Sequence, residues 1–234
     1  MDGQRLLTDP LLAQRVAHLR RHSPPVGEVG HVDAVLVSHA HRDHLDIRSL
    51  RRLGTRTRIV APAGVGGLLR RKGFAAVDEL REGDSAAVGT LAIAALRADH
   101  HTKRIPLGRE SPTLGFRIGG SASVVFFGDT DVFDGMSALG APADVALLPI
   151  WGWGPTIGPG HLDPAGAARA VELLRPRVAI PIHWGSFAPA HLAVGRVGFL
   201  ERPGPDFAAH VARLAPEVEV RLLAPGDVTE VDAR

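Results

Sequence analysis

Val32-Asp33-Ala34-Val35-Leu36-Val37-Ser38-His39-Ala40-His41-Arg42-Asp43-His44-Leu45-Asp46 is the stretch that decides how this chain is read. Its first six residues, apolar apart from Asp33, read as a buried strand. The cluster of three histidines and an aspartate therefore begins where that strand ends and a loop starts. Residues two apart on extended backbone point the same way, so His39 and His41 aim their imidazoles at one point. A following turn can bring Asp43 and His44 to a second point nearby. Such an arrangement suits one or two divalent metal ions.

Working outward, the 234-residue chain is long enough to bury a large core, and a single domain over 1–234 is expected. A hydrophobic content of 45% with 22% charged residues is ordinary for a globular protein. The formal charge is +2, and the basic residues are nearly all arginine, with Lys72 and Lys103 as the lysines. So small a net charge is a poor basis for nucleic-acid binding. With no cysteine, thiolate ligands and disulfides are excluded, and a metal site must use nitrogen and oxygen donors. No apolar run approaches a membrane span and the first residues do not resemble a signal peptide, so a cytoplasmic location is expected.

Strand-like runs recur at 32–38, 58–61, 90–96, 113–118, 122–127, 143–149, 177–182 and 217–223. Helix-like segments lie at 10–22, 45–53, 63–72, 164–175 and 206–214. Asp163-Pro164 reads as an N-cap followed by proline at the first helical position. Adjacent strands across 90–127 make the pattern mixed α/β rather than a simple βαβ alternation. The segment 99–112 breaks all periodicity, as functional loops often do.

Three further buried strands end in ligand-capable residues. Leu91 to Ala98 ends in Asp99-His100-His101. Val124 to Phe127 ends in Gly128-Asp129-Thr130-Asp131, and Val178 to Ile182 ends in His183. Two imidazoles need a third to hold one metal with an open position, and a second metal needs its own set. A carboxylate such as Asp129, with two oxygens, can bridge both.

H-x-H-x-D-H after a strand, then a strand-end histidine, then Gly-Asp-Thr, then a late histidine resembles the ligand order of the metallo-β-lactamase superfamily. Leu7-Thr8-Asp9-Pro10, His161-Leu162-Asp163-Pro164 and Pro181 to Phe187 resemble its branch of N-acylphosphatidylethanolamine-hydrolysing phospholipase D and ascorbate-6-phosphate lactonase relatives. The resemblance runs from Leu7 to His183 and implies an αββα sandwich, two mixed sheets with helices on the outer faces. It implies that His39, His41 and His100 bind one metal, that Asp43, His44 and His183 bind the other, and that Asp129 bridges. His101 competes with His100, which is favoured because its spacing to Lys103 and Arg104 resembles the branch pattern. Members of this branch carry an additional strand before Leu-Thr-Asp-Pro, and this chain starts almost at that point. The first sheet is therefore expected either to lack its opening strands or to begin upstream of the stated start.

The resemblance implies two zinc ions per chain, with manganese or iron as alternatives. Such a pair lowers the pKa of a shared water, and the resulting hydroxide attacks a phosphodiester or lactone-type ester. Asp129 would fix the pair and Asp43 orient the hydroxide, while His161 would contact substrate or shuttle a proton. Asp46, Asp99 and Asp131 are candidate acceptors for the free ring nitrogens of the ligands. Trp151, Trp153, Trp184 and Phe187 suggest an aromatic pocket wall, and Arg104 and Arg109 an anionic small-molecule substrate. His18, His22, His31, His191 and His210 read as structural or surface residues. Two competing functions are a nuclease-type phosphodiesterase, which needs a basic groove or added domain, and a di-iron redox protein, which replaces a histidine of the first motif. A metal-binding protein without catalysis is the third.

Overall fold

The computed structural model describes residues 1–100, 111–192 and 198–232. Its first strands are β1 (Leu6–Thr8), β2 (Arg15–Val16), β3 (Leu19–Arg21), β4 (Ala34–Leu36), β5 (Arg58–Pro62), β6 (Val77–Leu80) and β7 (Ser85–Val88). There follow β8 (Leu91–Arg97), β9 (Leu114–Gly119), β10 (Ser123–Phe127), β11 (Val145–Pro149), β12 (Val178–Ile182), β13 (Phe187–Pro189) and β14 (Glu219–Val220). The helices are α1 (Ile47–Leu53), α2 (Gly66–Arg71), α3 (Pro164–Leu174), α4 (Gly198–Glu201) and α5 (Pro203–Leu214). Among the described residues, no helix is long and apolar enough to cross a membrane.

Side-chain alternation along β4 builds the layers. Ala34 and Leu36 face one way and, with Val60 of β5, join Ile93, Phe116 and Phe126 of the second sheet in the central core. Val35 and Val37 face the other way and pack with Leu50 of α1 and Leu69 of α2. On the far side of the second sheet, Val125, Phe127 and Leu148 meet Ala167 and Val171 of α3 and Phe207 of α5. Helix, sheet, sheet, helix is therefore the order of layers. Burying each large apolar side chain of the central core contributes about 1.5–3 kcal/mol, so both sheets depend on one another.

The first sheet runs β1-β4-β5-β6 and the second β14-β12-β11-β10-β9-β8-β7. The second is mixed: β7 to β10 form an antiparallel meander, and β10, β11, β12 and β14 pair in parallel. The first, expected to be mixed, is parallel throughout. Strands β4, β5 and β6 are joined through α1 and α2, and β1 reaches β4 through the β2–β3 segment, crossovers that leave successive strands running the same way.

All eight strand-like runs correspond to strands, but the segment 10–22 is not a helix. It forms the β2–β3 hairpin, with Val16 opposite Leu19 and a turn in which Ala17 takes φ +49°. Leu12, Val16 and Leu19 are buried at a spacing that also suits a helix. Pairing of β3 with β13 decides between the two forms, making a third, three-stranded antiparallel sheet. The strands β6, β7 and β13, of three or four residues each, are too short for an alternation to stand out in the sequence.

Local chemistry fixes the helix ends. Asp163 caps α3 by accepting from the Gly166 amide at 2.7 Å, with Pro164 following as expected. Helix α2 begins at Val65, which offers no capping side chain. Glu79 of β6 supplies it from outside: its Oε1 accepts from the Gly64 and Gly66 amides at 2.7 and 3.0 Å, and Arg70 donates to Oε2. Burial opposes ionisation of Glu79, but the Gly66 amide, Arg70 and the Gly64 amide outweigh it and hold the carboxyl below its ordinary 4.5. Glu79→Ala is expected to destabilise the protein by about 1–2 kcal/mol in denaturation at neutral pH. Because the folded carboxyl titrates below the unfolded one, the difference from wild type persists above about pH 4.5 and shrinks as pH falls through the folded value.

Candidate metal centre

Four strand ends converge at one edge of the sandwich. The chain leaving β4 presents His39 and His41, then turns as the His41 carbonyl accepts from the His44 and Leu45 amides at 3.2 and 2.7 Å. That turn carries Asp43 and His44. The ends of β8, β10 and β12 bring His100, Asp129 and His183 to the same edge.

Two groups of ligand atoms result. His39 Nε2 lies 3.0 Å from His41 Nδ1, which lies 3.2 Å from His100 Nε2. Asp129 Oδ2 joins this group at 3.6 Å from His39 and 3.9 Å from His100. In the second group, His44 Nε2 and His183 Nε2 each lie 3.9 Å from Asp43 Oδ2. Asp129 touches this group too, with Oδ2 3.2 Å from His44 Nε2 and Oδ1 3.7 Å from His183 Nδ1. Each group offers one atom per residue within 4.8 Å of the others, a span that could hold a metal ion. His41 offers Nδ1 where its neighbours offer Nε2.

Asp9 was not among the expected site residues, although it belongs to the Leu-Thr-Asp-Pro motif. Its Oδ1 accepts from the Ser38 amide at 2.7 Å, and its Oδ2 accepts from Ser38 Oγ at 2.5 Å and His44 Nδ1 at 2.8 Å. With its hydrogen given to Asp9, Ser38 Oγ accepts from His39 Nδ1 at 2.9 Å. One carboxylate thus fixes the Nδ1 proton of His44 directly and that of His39 through Ser38, and turns both Nε2 atoms toward the centre. Asp9 meets His39 and His44 at a metal-like spacing as well, but its oxygens are occupied by these donors. Backbone carbonyls do the same elsewhere: Gly160 accepts from His100 Nδ1 at 2.8 Å and Trp151 from His183 Nδ1 at 3.0 Å.

Two of the three residues expected to serve as these acceptors, Asp46 and Asp131, do other work. Asp46 caps α1, accepting from the Ser49 amide and hydroxyl at 2.9 and 2.6 Å. Asp131 accepts from the Val132 amide at 2.8 Å, and the Asp99 backbone amide donates to Thr130 Oγ1 at 2.9 Å. Acceptors close in sequence are satisfied locally. The ring nitrogens are met instead by groups that only the fold brings near.

Burial pushes His39 and His41 below their ordinary range and His100 down to about 4, so all three are neutral with lone pairs available. Burial works against the charge on Asp129 but is outweighed by His183 and His44, which hold it well below the carboxylate range. His44 is also buried, yet Asp129 and Asp43 raise it well above its usual value. Two buried atoms at this point, His44 Nε2 and Asp129 Oδ1, have no hydrogen-bond partner. Buried polar atoms are rarely left so. A divalent cation between the groups would satisfy both, and the nitrogen and oxygen donors suit zinc.

His161 Nε2 lies 3.4 Å from Asp129 Oδ2, at the solvent side of the centre. Burial lowers its basicity, but hydrogen bonding to and the charge of Asp129 raise it above its ordinary value. A cavity of about 290 Å³ opens beside Asp43, His44 and His183, walled by Leu11, Trp153 and Phe187 with Arg21 among them. Trp184 borders it, but its ring lies against Gly204 of α5 and its Nε1 donates to the Pro181 carbonyl at 3.2 Å. Trp151 faces away from it, donating to the Gly154 carbonyl at 2.9 Å and bordering a different cavity. His18 packs edge-on against Trp153 at 4.8 Å. His101, Arg104 and Arg109 lie outside the described residues.

Two constraints hold this geometry. His183 takes φ +60° and Asp9 φ +40°, left-handed conformations that cost a non-glycine residue about 1–2 kcal/mol each. Gly128 allows β10 to approach the Asp9–Ser38 pair, since a Cβ there would lie 2.1 Å from Ser38 Oγ. Gly128→Ala is expected to destabilise the protein by about 1–3 kcal/mol in denaturant unfolding. Asp9→Asn, of equal size, is expected to weaken metal binding by about 10–100-fold in chelator competition, with little loss of folding.

The beta-lactamase superfamily domain family matches residues 4–184. An uncharacterized protein of Mycobacterium tuberculosis is 34% identical over 208 residues, 80% of this chain and 55% of that one, so the chain spans about half the length of that relative. A UPF0173 metal-dependent hydrolase of Methanopyrus kandleri is 32% identical over 98% of this chain and 94% of its own. The solved structure of Igni18, a metallo hydrolase from Ignicoccus hospitalis, is similar with a TM-score of 0.74 and 25% identity, covering 97% of this chain and 90% of that one. A layered αββα sandwich with ligand-capable residues at four strand ends, matched over residues 4–184, means that the chain belongs to the beta-lactamase superfamily and has the metallo-β-lactamase fold.

Proposed function

We propose that this chain is a hydrolase dependent on two metal ions, zinc in the first instance. The observation that carries the reading is Asp129, a buried carboxylate that belongs to one group of ligand atoms and approaches His44 and His183 of the other, with its Oδ1 and His44 Nε2 left without hydrogen-bond partners. The names of the Methanopyrus and Ignicoccus proteins, both metal-dependent hydrolases, agree with it. His39, His41 and His100 would hold one ion, Asp43, His44 and His183 the other, and Asp129 both. Bound there, the ions supply an activated water and polarise the carbonyl or phosphoryl oxygen of a substrate.

The chain's own residues do the rest. Asp9 and Ser38 keep the Nε2 atoms of His39 and His44 directed inward before any ligand arrives. Asp43, at the cavity's edge, orients the attacking water through its carboxylate. His161, whose basicity Asp129 raises, delivers a proton from Nε2 to the departing oxygen. The cavity beside Asp43 takes the part of the substrate that does not react, and its walls of Leu11, Trp153 and Phe187 favour an apolar group there. The bond cleaved is a phosphodiester or a lactone-type ester of a small molecule.

Metal analysis of the purified chain is expected to find about two zinc or manganese ions. In a panel of aryl phosphodiesters, lactones and thioesters, Asp129→Ala should abolish hydrolysis together with metal loading, and activity equal to wild type would refute the mechanism. His161→Ala is expected to lower kcat by about 10²–10⁴-fold at unchanged metal content.

A further inference from the structure

A further cavity, of about 350 Å³, lies against the loop 38–46 that carries His39, His41, Asp43 and His44 (the candidate metal loop) and shares no lining residue with the cavity beside Asp43. Five cationic side chains line it: Arg15 of β2, Arg42 of the metal loop, Arg48 and Arg51 of α1, and Lys72 at the end of α2. All five are exposed. Among the described residues none of them forms an ion pair; the arginines that do, such as Arg58, Arg70, Arg177 and Arg221, are elsewhere. Asp46 is the acid in the lining, and it is engaged by Ser49.

The helix dipole accounts for Arg51 in the last turn of α1 and Lys72 at the end of α2, but not for Arg15, Arg42 and Arg48. The chain carries a formal charge of only +2, so its basic residues are nearly balanced overall, yet here five gather around one acid. Arg48 stands in the first turn of α1, where the helix dipole disfavours a cation and where no acidic residue is present. Arg42 is held between His41 and Asp43, beside the candidate metal positions, where a further positive charge is repelled. Four of the five are arginines, whose planar forks pair with phosphate or carboxylate oxygens, and several cations around one space suit an anion of multiple charge such as a polyphosphate. The remaining lining, Val16, Ala17 and Ile47, contains no aromatic ring on which a nucleobase could stack.

We propose that this cavity is a binding site for a phosphate-bearing polyanion, distinct from the substrate cavity of the metal centre. Opposed positive charges from β2, the metal loop, α1 and α2 are drawn together when such an anion occupies it. Arg42 links the site to the metal loop through the backbone on either side. The recognised chemistry is two or more phosphate charges at close spacing, whether on a free small molecule or on a lipid headgroup.

Calorimetric titration of the full-length, metal-loaded protein with inorganic tripolyphosphate tests this, alongside sedimentation with phosphatidylcholine vesicles with and without phosphatidic acid. Binding of tripolyphosphate is expected to be saturable, to survive in Asp129→Ala, and to weaken by about tenfold or more in Arg48→Glu/Arg51→Glu. The milder Arg48→Gln/Arg51→Gln should show a smaller loss in the same direction, which separates a lost site from a misfolded helix. Vesicle binding that needs phosphatidic acid and is lost in the same variants would also support the site and assign it to a headgroup. Binding to neither probe would overturn the proposal, as would binding equal in the double variants. Loss in Asp129→Ala alone would mean chelation at the metal centre and overturn it too. Tighter binding of a single-stranded oligonucleotide than of tripolyphosphate would overturn it in favour of a nucleic-acid surface.

Discussion

A buried, ionised carboxylate at Asp129 is the constraint on which the rest of the site depends. Removing such a charge from water costs several kcal/mol unless surrounding groups compensate. Five imidazoles approach its oxygens at 3.2–3.9 Å among the described residues, those of His39, His44, His100, His161 and His183. Compensation by these imidazoles is incomplete, since Asp129 Oδ1 is still without a hydrogen-bond donor. The site is therefore built for a cation, and its neighbours are arranged around that need.

Asp9 extends the same logic outward. It stands at the end of β1, the strand that pairs with β4, and reaches His39 through Ser38 and His44 directly. Orientation of imidazoles in both ligand groups therefore rests on one pairing between parallel strands. Gly128 admits that pair beneath the end of β10, and the left-handed backbone of His183 turns its ring inward. Each of these features costs the fold something locally. Packing of both sheets through the central core holds them in position.

Much of this was legible before any coordinates. The apolar run 32–37 followed by H-x-H-x-D-H located the first sheet's strand and half of the candidate ligands, because period-two alternation fixes where side chains point. His100, Asp129 and His183 were legible as polar residues ending buried strands. Less legible were groups that act through backbone or across long separations. Gly160 and Trp151 contribute carbonyls, which leave no mark in a sequence. Asp46 and Asp131 looked equally suited to orient imidazoles, yet both satisfy nearby amides, since a short polar side chain reaches its own turn first. The hairpin at 15–21 was hidden because Leu12, Val16 and Leu19 fall at a spacing that suits a helix equally well.

The sequence by itself determined the type of fold, the donor residue types of the candidate centre and the class of chemistry such donors serve. These follow from local patterns: apolar periodicity, residue type and position relative to a strand end. Only the tertiary structure decided which nitrogen of each imidazole faces inward, that Asp9 sets two of them, and that Trp153 rather than Trp151 walls the cavity. It alone gathered Arg15, Arg42, Arg48, Arg51 and Lys72 around one space. Such relations join residues tens of positions apart through strand pairing and layer packing, and no local pattern encodes the distance between them.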